Sequence, residues 1–246
     1  MKQDDTAARL NLLCAGAVQG LVKALQPAFT ERTGARVDGR FGAVGAMKEL
    51  LLGGEPADVM IVTDAMIRAL IADGILRADS RIPIGQVHTG IAVRSGDTAP
   101  SLTDGAALKS LLLSSRGVFF PDPVRSTAGI HFAGVLRKLG ILEELEPRFR
   151  TFPNGATAMR ELAASEGPGM VGCTQVTEIN YTPGVTLIGE LPAGFELATI
   201  YSAAIVRDAP QPALAQSFID DVTGPGSEQV RRDGGFNRCR SWSLGE

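Results

Sequence analysis

The sequence predicts an α/β protein of two lobes, each a mainly parallel sheet flanked by helices. Three observations carry that expectation. Short apolar runs alternate with amphipathic stretches, the βαβα signature of a parallel sheet. The length of 246 residues suits one large domain or two lobes of about 100–150 residues each. The alternation also changes character after Gly74, where a strand emerges from a polar, Pro-containing segment rather than from a tight repeat.

In chain order, Arg9–Leu13 reads as a strand and Val18–Thr33 as a helix with Val18, Leu21, Val22, Leu25 and Phe29 on one stripe, closed by Gly34. Arg36–Phe41 is a second strand, followed by a short helix over Ala46–Leu52. Asp58–Val62 is a third strand, after which Thr63 or Asp64 caps the helix Ala65–Ala72. Val87–Arg94 is read as a crossing strand between lobes. Thr103-Asp104 caps a helix to about Ser114, Gly117–Phe120 is a buried strand, and the helix Ala128–Leu139 ends at Gly140. Arg148–Phe152, the helix Ala156–Ala164, the strand Gly169–Gly172 and a short helix from Thr174 continue the pattern. Val185–Ile188 and Leu197–Val206 are later strands, and the tail holds helices over Gln211–Val222 and Ser227–Arg232. The second of those strands carries the chain back. Residues 1–85 plus 197–246 are therefore expected to form a discontinuous first lobe and residues 86–196 the second, joined by two crossings.

Composition excludes several classes of function. With 24 Lys+Arg against 27 Asp+Glu and a net charge of −3, the chain lacks the basic footprint of a protein that grips nucleic acid or an anionic bilayer. No apolar run approaches the roughly 18–20 residues of a membrane span, so no membrane insertion is expected. The start, Met1 to Arg9, is polar; as written this predicts a cytoplasmic protein, and a periplasmic one if a native signal peptide was removed. Cys14, Cys173 and Cys239 are odd in number and far apart, which argues against a disulfide scaffold and a structural zinc site. Neither metal nor cofactor is expected.

No GxSxG elbow, GxxxxGK[ST] phosphate loop or HExxH helix is present, and His88 and His131 are the two histidines. What recurs is a turn of tiny residues at strand-to-helix junctions: Cys14-Ala15-Gly16-Ala17, Gly42-Ala43-Val44-Gly45, Thr63-Asp64-Ala65 and Ser126-Thr127-Ala128-Gly129. Small residues let a ligand approach the backbone, and each junction directs unpaired N–H groups and a positive dipole end outward. Several such turns bind an anion without Lys or Arg. In open α/β sheets the ligand crevice lies at these strand ends.

The runs Leu13-Cys14-Ala15-Gly16-Ala17-Val18, Phe41-Gly42-Ala43-Val44-Gly45-Ala46, Gly54-Glu55-Pro56-Ala57-Asp58-Val59 and Ser126-Thr127-Ala128-Gly129-Ile130-His131-Phe132 resemble the molybdate-binding-protein-like family of extracellular solute-binding proteins. So does Val171-Gly172-Cys173-Thr174-Gln175, and the match runs from about Leu10 to Val230. The resemblance implies a type 2 periplasmic-binding fold that closes on a small anion by helix N-termini and hydroxyls, with an ABC permease as partner if the protein is exported. Carried over by position, the ligand residues are Cys14, Ala15 and Gly16; Ala43, Val44 and Gly45; Thr63; and Ser126, Thr127 and Ala128, with Gln175 and Tyr201 at the edge of the set. Tight molybdate binders of the family place hydroxyl residues in the first two turns, where this chain has Cys14 and Ala43-Val44-Gly45. Relatives in the same group resemble aconitate isomerase, which implies as the alternative an isomerase of aconitate-like tricarboxylates. Such a reaction needs a base to take a proton alpha to a carboxylate. The candidates are His131 and Cys14, whose thiol pKa a helix N-terminus lowers, with Asp64, Glu178, His88, Arg125 and Arg94 as further charged groups near predicted turns.

Overall fold

Strand and helix alternate along the chain, as the apolar periodicity dictates. The structure, a computed structural model, describes residues 8–98 and 101–238. These divide into two compact units, the first holding described residues 8–41, 46–86 and 200–238, the second described residues 42–45, 87–98 and 101–199.

The first unit opens with β1 (Arg9–Ala15), α1 (Gly16–Thr33), β2 (Arg36–Gly42), α2 (Val44–Leu52), β3 (Val59–Thr63) and α3 (Asp64–Ala72). The strand β1 lies beside β2 and runs parallel to β3, with Leu13 opposite Met60. Gly34 adopts the left-handed conformation (φ 68°) that ends α1, and its N–H donates to the Thr30 carbonyl. Most of the expected stripe is buried: Val18, Leu21, Val22 and Phe29 are fully covered while Leu25 is half-buried, and Phe29 meets Phe218 edge-on at 5.0 Å. That contact ties α1 to α9 (described below), and such aromatic pairs add about 0.5–1.5 kcal/mol beyond their buried area.

β4 (Ile82–Arg94) begins five residues earlier than the periodicity predicts and carries the chain into the second unit. There follow α4 (Gly105–Ser114), β5 (Gly117–Pro121), α5 (Thr127–Lys138), the short α6 (Leu142–Leu145), β6 (Phe149–Phe152), α7 (Gly155–Ala164), β7 (Met170–Gln175), α8 (Val176–Asn180) and β8 (Val185–Glu190). The strand β5 is parallel to β6 and β7, while β4 runs antiparallel to β7 and β8. Thr174, expected to start a helix, is instead kept in β7 by its pairing with Gly90 of β4. The core of this unit gathers Ile91, Leu112, Val118, Phe120, Phe132, Leu136 and Leu145. β9 (Ala198–Ile205) returns the chain to the first unit, where it pairs antiparallel with β3, and α9 (Pro212–Thr223) and α10 (Glu228–Gly234) complete it. No helix among the described residues is long and apolar enough to cross a membrane. Cys239 lies outside the described residues.

Candidate functional site

Each predicted turn has a definite local geometry. At the β1–α1 junction Ala15 is the N-cap residue (φ −61°, ψ 142°) and makes no side-chain cap. A methyl group cannot accept a hydrogen bond, so Ala15 offers the first-turn N–H groups of Gly16, Ala17 and Val18 no side-chain acceptor. Cys14 precedes this turn but is fully buried, and its thiol donates to the Ala15 carbonyl at 3.4 Å. Burial pushes that thiol well above its ordinary range, which corrects the expectation of an activated cysteine: desolvation outweighs the helix dipole.

At the β3–α3 junction Thr63 is the N-cap residue, again without a side-chain cap. Asp64 does not cap the helix as expected. Its carboxylate accepts from Arg81 (Nε 2.8 Å, Nη2 3.0 Å), Arg68 (2.7 Å) and the Ser202 hydroxyl (2.6 Å). Burial opposes its ionisation, but the hydrogen bonds from Arg81, Ser202 and Arg68 outweigh it and hold the carboxyl down to about 2. Thr63 stands opposite Tyr201 in the β3–β9 ladder, and Tyr201 is buried.

In the second unit, Ser126 is the N-cap residue of α5, buried and likewise without a side-chain cap, with Thr127 and Ala128 in the first turn. The loop before it is shaped by Asp122, whose Oδ1 accepts from the N–H groups of Val124 (2.7 Å) and Arg125 (3.0 Å). Gly129 is required there, because a Cβ would stand 2.2 Å from the Asp122 carbonyl and 2.3 Å from that of Pro121. Ala43 and Val44 are buried and Gly45 half-buried, so that turn offers backbone rather than side-chain donors. Gln175, at the end of β7, is buried, and its Nε2 donates to the Thr199 hydroxyl at 3.4 Å.

The other charged candidates are engaged elsewhere. His131 Nε2 is 2.8 Å from the Phe195 carbonyl, His88 Nδ1 is 2.6 Å from Glu190, and Arg94 binds Asp97 and the Ser165 carbonyl. Glu178 has a role that periodicity does not reveal. Its buried carboxylate accepts from the Thr174 hydroxyl (2.5 Å) and the Ala156 N–H (3.2 Å), occupying the N-terminus of α7. Burial raises its pKa against the pull of those hydrogen bonds. Gly155 makes room for it, since a Cβ there would meet Thr174 Oγ1 at 1.9 Å and Glu178 Oε2 at 2.0 Å. Among the described residues no group of three or more His, Cys, Asp or Glu could hold a metal ion.

α4 and α7 are closed by their own residues, Asp104 accepting from the Ala107 N–H and Asn154 from the Thr157 N–H. α1, α3 and α5, which follow the turns singled out from the sequence, make no side-chain cap, and neither do α6, α8, α9 and α10.

The family model for bacterial extracellular solute-binding proteins matches residues 10–237. The chain belongs to that family. Among relatives of this solute-binding protein, an aconitate isomerase from Pseudomonas sp is 26% identical over 236 residues, covering 92% of this chain and 87% of that protein. The molybdate-binding protein ModA of Rhodobacter capsulatus is 26% identical over 212 residues, covering 85% and 80%. Similar solved structures include the periplasmic molybdate-binding protein of Azotobacter vinelandii (TM-score 0.76, 20% identity, 94% of this chain and 100% of that one). The sulfate-binding protein SubI of Mycobacterium tuberculosis H37Rv is also similar (TM-score 0.72, 18% identity, 95% and 88%). At these identities the structural likeness establishes the periplasmic-binding-protein fold.

Proposed function

We propose that this solute-binding protein captures a small oxyanion of the molybdate type or a polycarboxylate, as the substrate-binding component of an ABC transporter in the periplasm. The candidate donors of the first unit are the backbone N–H groups at the first turns of α1 and α3, with Tyr201 beside them; those of the second unit are the first turn of α5, the turn Ala43-Val44-Gly45 and Gln175. One observation carries this reading: α1, α3 and α5 each start at a turn of small residues, Ala15-Gly16, Thr63-Asp64 and Ser126-Thr127, with no side-chain cap over the first-turn N–H groups. Unpaired first-turn N–H groups and the positive end of the helix dipole favour an anion.

The test is a melting-temperature panel with molybdate, tungstate, sulfate, citrate, tricarballylate and cis- and trans-aconitate. A ligand present at 100 times its Kd stabilises the native state by about 2.7 kcal/mol, or about 5–10 °C for a chain of this size. If no anion in the panel raises the melting temperature, the reading fails.

The likeness to aconitate isomerase favours a second reading, in which the same fold shifts the double bond of a tricarboxylate. His131 is its candidate base. With Nε2 donating to the Phe195 carbonyl, the neutral ring carries its lone pair on Nδ1, the nitrogen that then accepts a proton. Proton NMR of cis- and trans-aconitate with the protein tests turnover directly, and loss of turnover in His131→Ala assigns the base. Tight anion binding without double-bond migration removes this reading and leaves the first intact.

A further inference from the structure

Among the described residues, three buried side-chain atoms have no hydrogen-bond partner: Thr89 Oγ1, Gln175 Oε1 and Thr177 Oγ1. All three belong to the second unit. Thr89 and Gln175 stand directly opposite one another in the β4–β7 ladder, so their side chains share a face of the sheet. Thr177 follows two residues later, in the first turn of α8. Buried polar groups are almost always paired, and one left unpaired is destabilising. Neighbouring threonines show that partners can be found locally. Thr174 donates to the Glu178 carboxylate and Thr182 to the Glu178 carbonyl. Incomplete hydrogen bonding confined to one strand end marks a place where a group from outside the chain completes the set.

The chemistry of that group follows from the donors. Each threonine hydroxyl has a proton to give. A half-turn of the Gln175 amide exchanges Oε1 and Nε2 without changing its shape. The Thr199 hydroxyl, now 3.4 Å from Nε2, then donates to Oε1, and an amide N–H turns toward the unfilled side. Two hydroxyls and an amide N–H make an acceptor-seeking, uncharged set.

We propose that Thr89, Gln175 and Thr177 form a neutral polar subsite that donates hydrogen bonds to a ligand oxygen, a carboxylate or oxyanion oxygen, and so contributes to specificity. The three atoms are covered in this conformation, so the ligand reaches them with a local opening of the chain around them. The proposal rests on the solute-binding reading above and adds residues to it.

The experiment replaces each group with an apolar one of similar shape, Thr89→Val, Thr177→Val and Gln175→Leu, with Thr174→Val as the control. Two quantities are read: the melting temperature without ligand, and the affinity for molybdate and cis-aconitate by calorimetry. Thr89→Val and Thr177→Val are expected to melt at or above the wild-type temperature, because an unpaired polar atom is removed, whereas Gln175→Leu also breaks the bond to Thr199 and is read by affinity alone; all three are expected to bind the effective probe at least about tenfold more weakly. Thr174→Val, which breaks a bond to Glu178, is expected to melt lower. A lowered melting temperature in Thr89→Val and Thr177→Val would mean that internal water or a protein partner already satisfies these hydroxyls, and it overturns the proposal. Unchanged affinity at unchanged stability overturns it equally. A wild-type chain that binds neither probe counts against the reading for those anions, while the ligand-free melting temperatures of Thr89→Val and Thr177→Val still decide whether the two hydroxyls are unpaired.

Discussion

Ala15 offers the sharpest test of anion capture at a helix N-terminus. It is the N-cap residue of α1, extended at φ −61° and ψ 142° and without a side-chain cap, so Asn or Asp fits the backbone and can close the helix itself. Ala15→Asn fills the first-turn N–H groups with a neutral acceptor. An anion that loses a hydrogen bond to those groups loses about 1.5–3 kcal/mol, an affinity drop of about ten- to a hundredfold. Ala15→Asp adds a negative charge. At a separation of ~4 Å and an effective dielectric constant of ~20, repulsion between two unit charges is about 4 kcal/mol, roughly a further three decades. The cap itself contributes about 0.5–2 kcal/mol, which offsets the crowding of a position that is 2% exposed. Titration calorimetry with the best anion of the panel, at matched circular dichroism, gives the three affinities. The order wild type, Asn, Asp is expected. Equal affinities for the Asn and Asp variants would refute the electrostatic reasoning, and wild-type affinity in both would refute ligand capture at α1.

Three further outcomes are expected. Gly129→Ala sets a Cβ against two backbone carbonyls and destabilises by about 3 kcal/mol or more, whereas Gly134→Ala in the same helix has open space and stabilises by about 0.5–1 kcal/mol; urea titrations of the pair check the contrast, and equal midpoints would contradict it. In a chain whose Cys239 is replaced by serine, a thiol reagent should label neither Cys14 nor Cys173 until denaturant is added, since both are buried with thiols pushed upward; rapid native labelling of Cys14 would restore it as a nucleophile. Asp64 has a lowered pKa, so its stabilisation is fully present above the ordinary carboxyl value of about 3.9 and is lost as pH falls toward about 2. Asp64→Asn should therefore melt several degrees below wild type at pH 7, with the gap closing between pH 4 and pH 2; a gap independent of pH would show that its charge is not what holds Arg81 and Ser202.

Much of the fold was legible in the sequence because its signals act over a few residues. The stripe from Val18 to Phe29, the left-handed Gly34 and the cap of α4 by Asp104 depend on neighbours within one or two helical turns. The tiny-residue turns that precede α1, α3 and α5 were visible for the same reason. Tertiary structure decided what those turns carry. Cys14 lost its expected activation because β3 runs beside it, pairing it with Ile61, and it is fully buried. Asp64 was drawn from its cap by Arg81, 17 residues away, and by Ser202, 138 residues away. Glu178 reached the N-terminus of α7, 22 residues upstream of it, through the packing of α8. The sequence by itself determined where helices start, because capping and apolar spacing are local. Which of those starts stays open was decided by chain segments brought together from afar, whose charges and hydroxyls no short-range pattern announces.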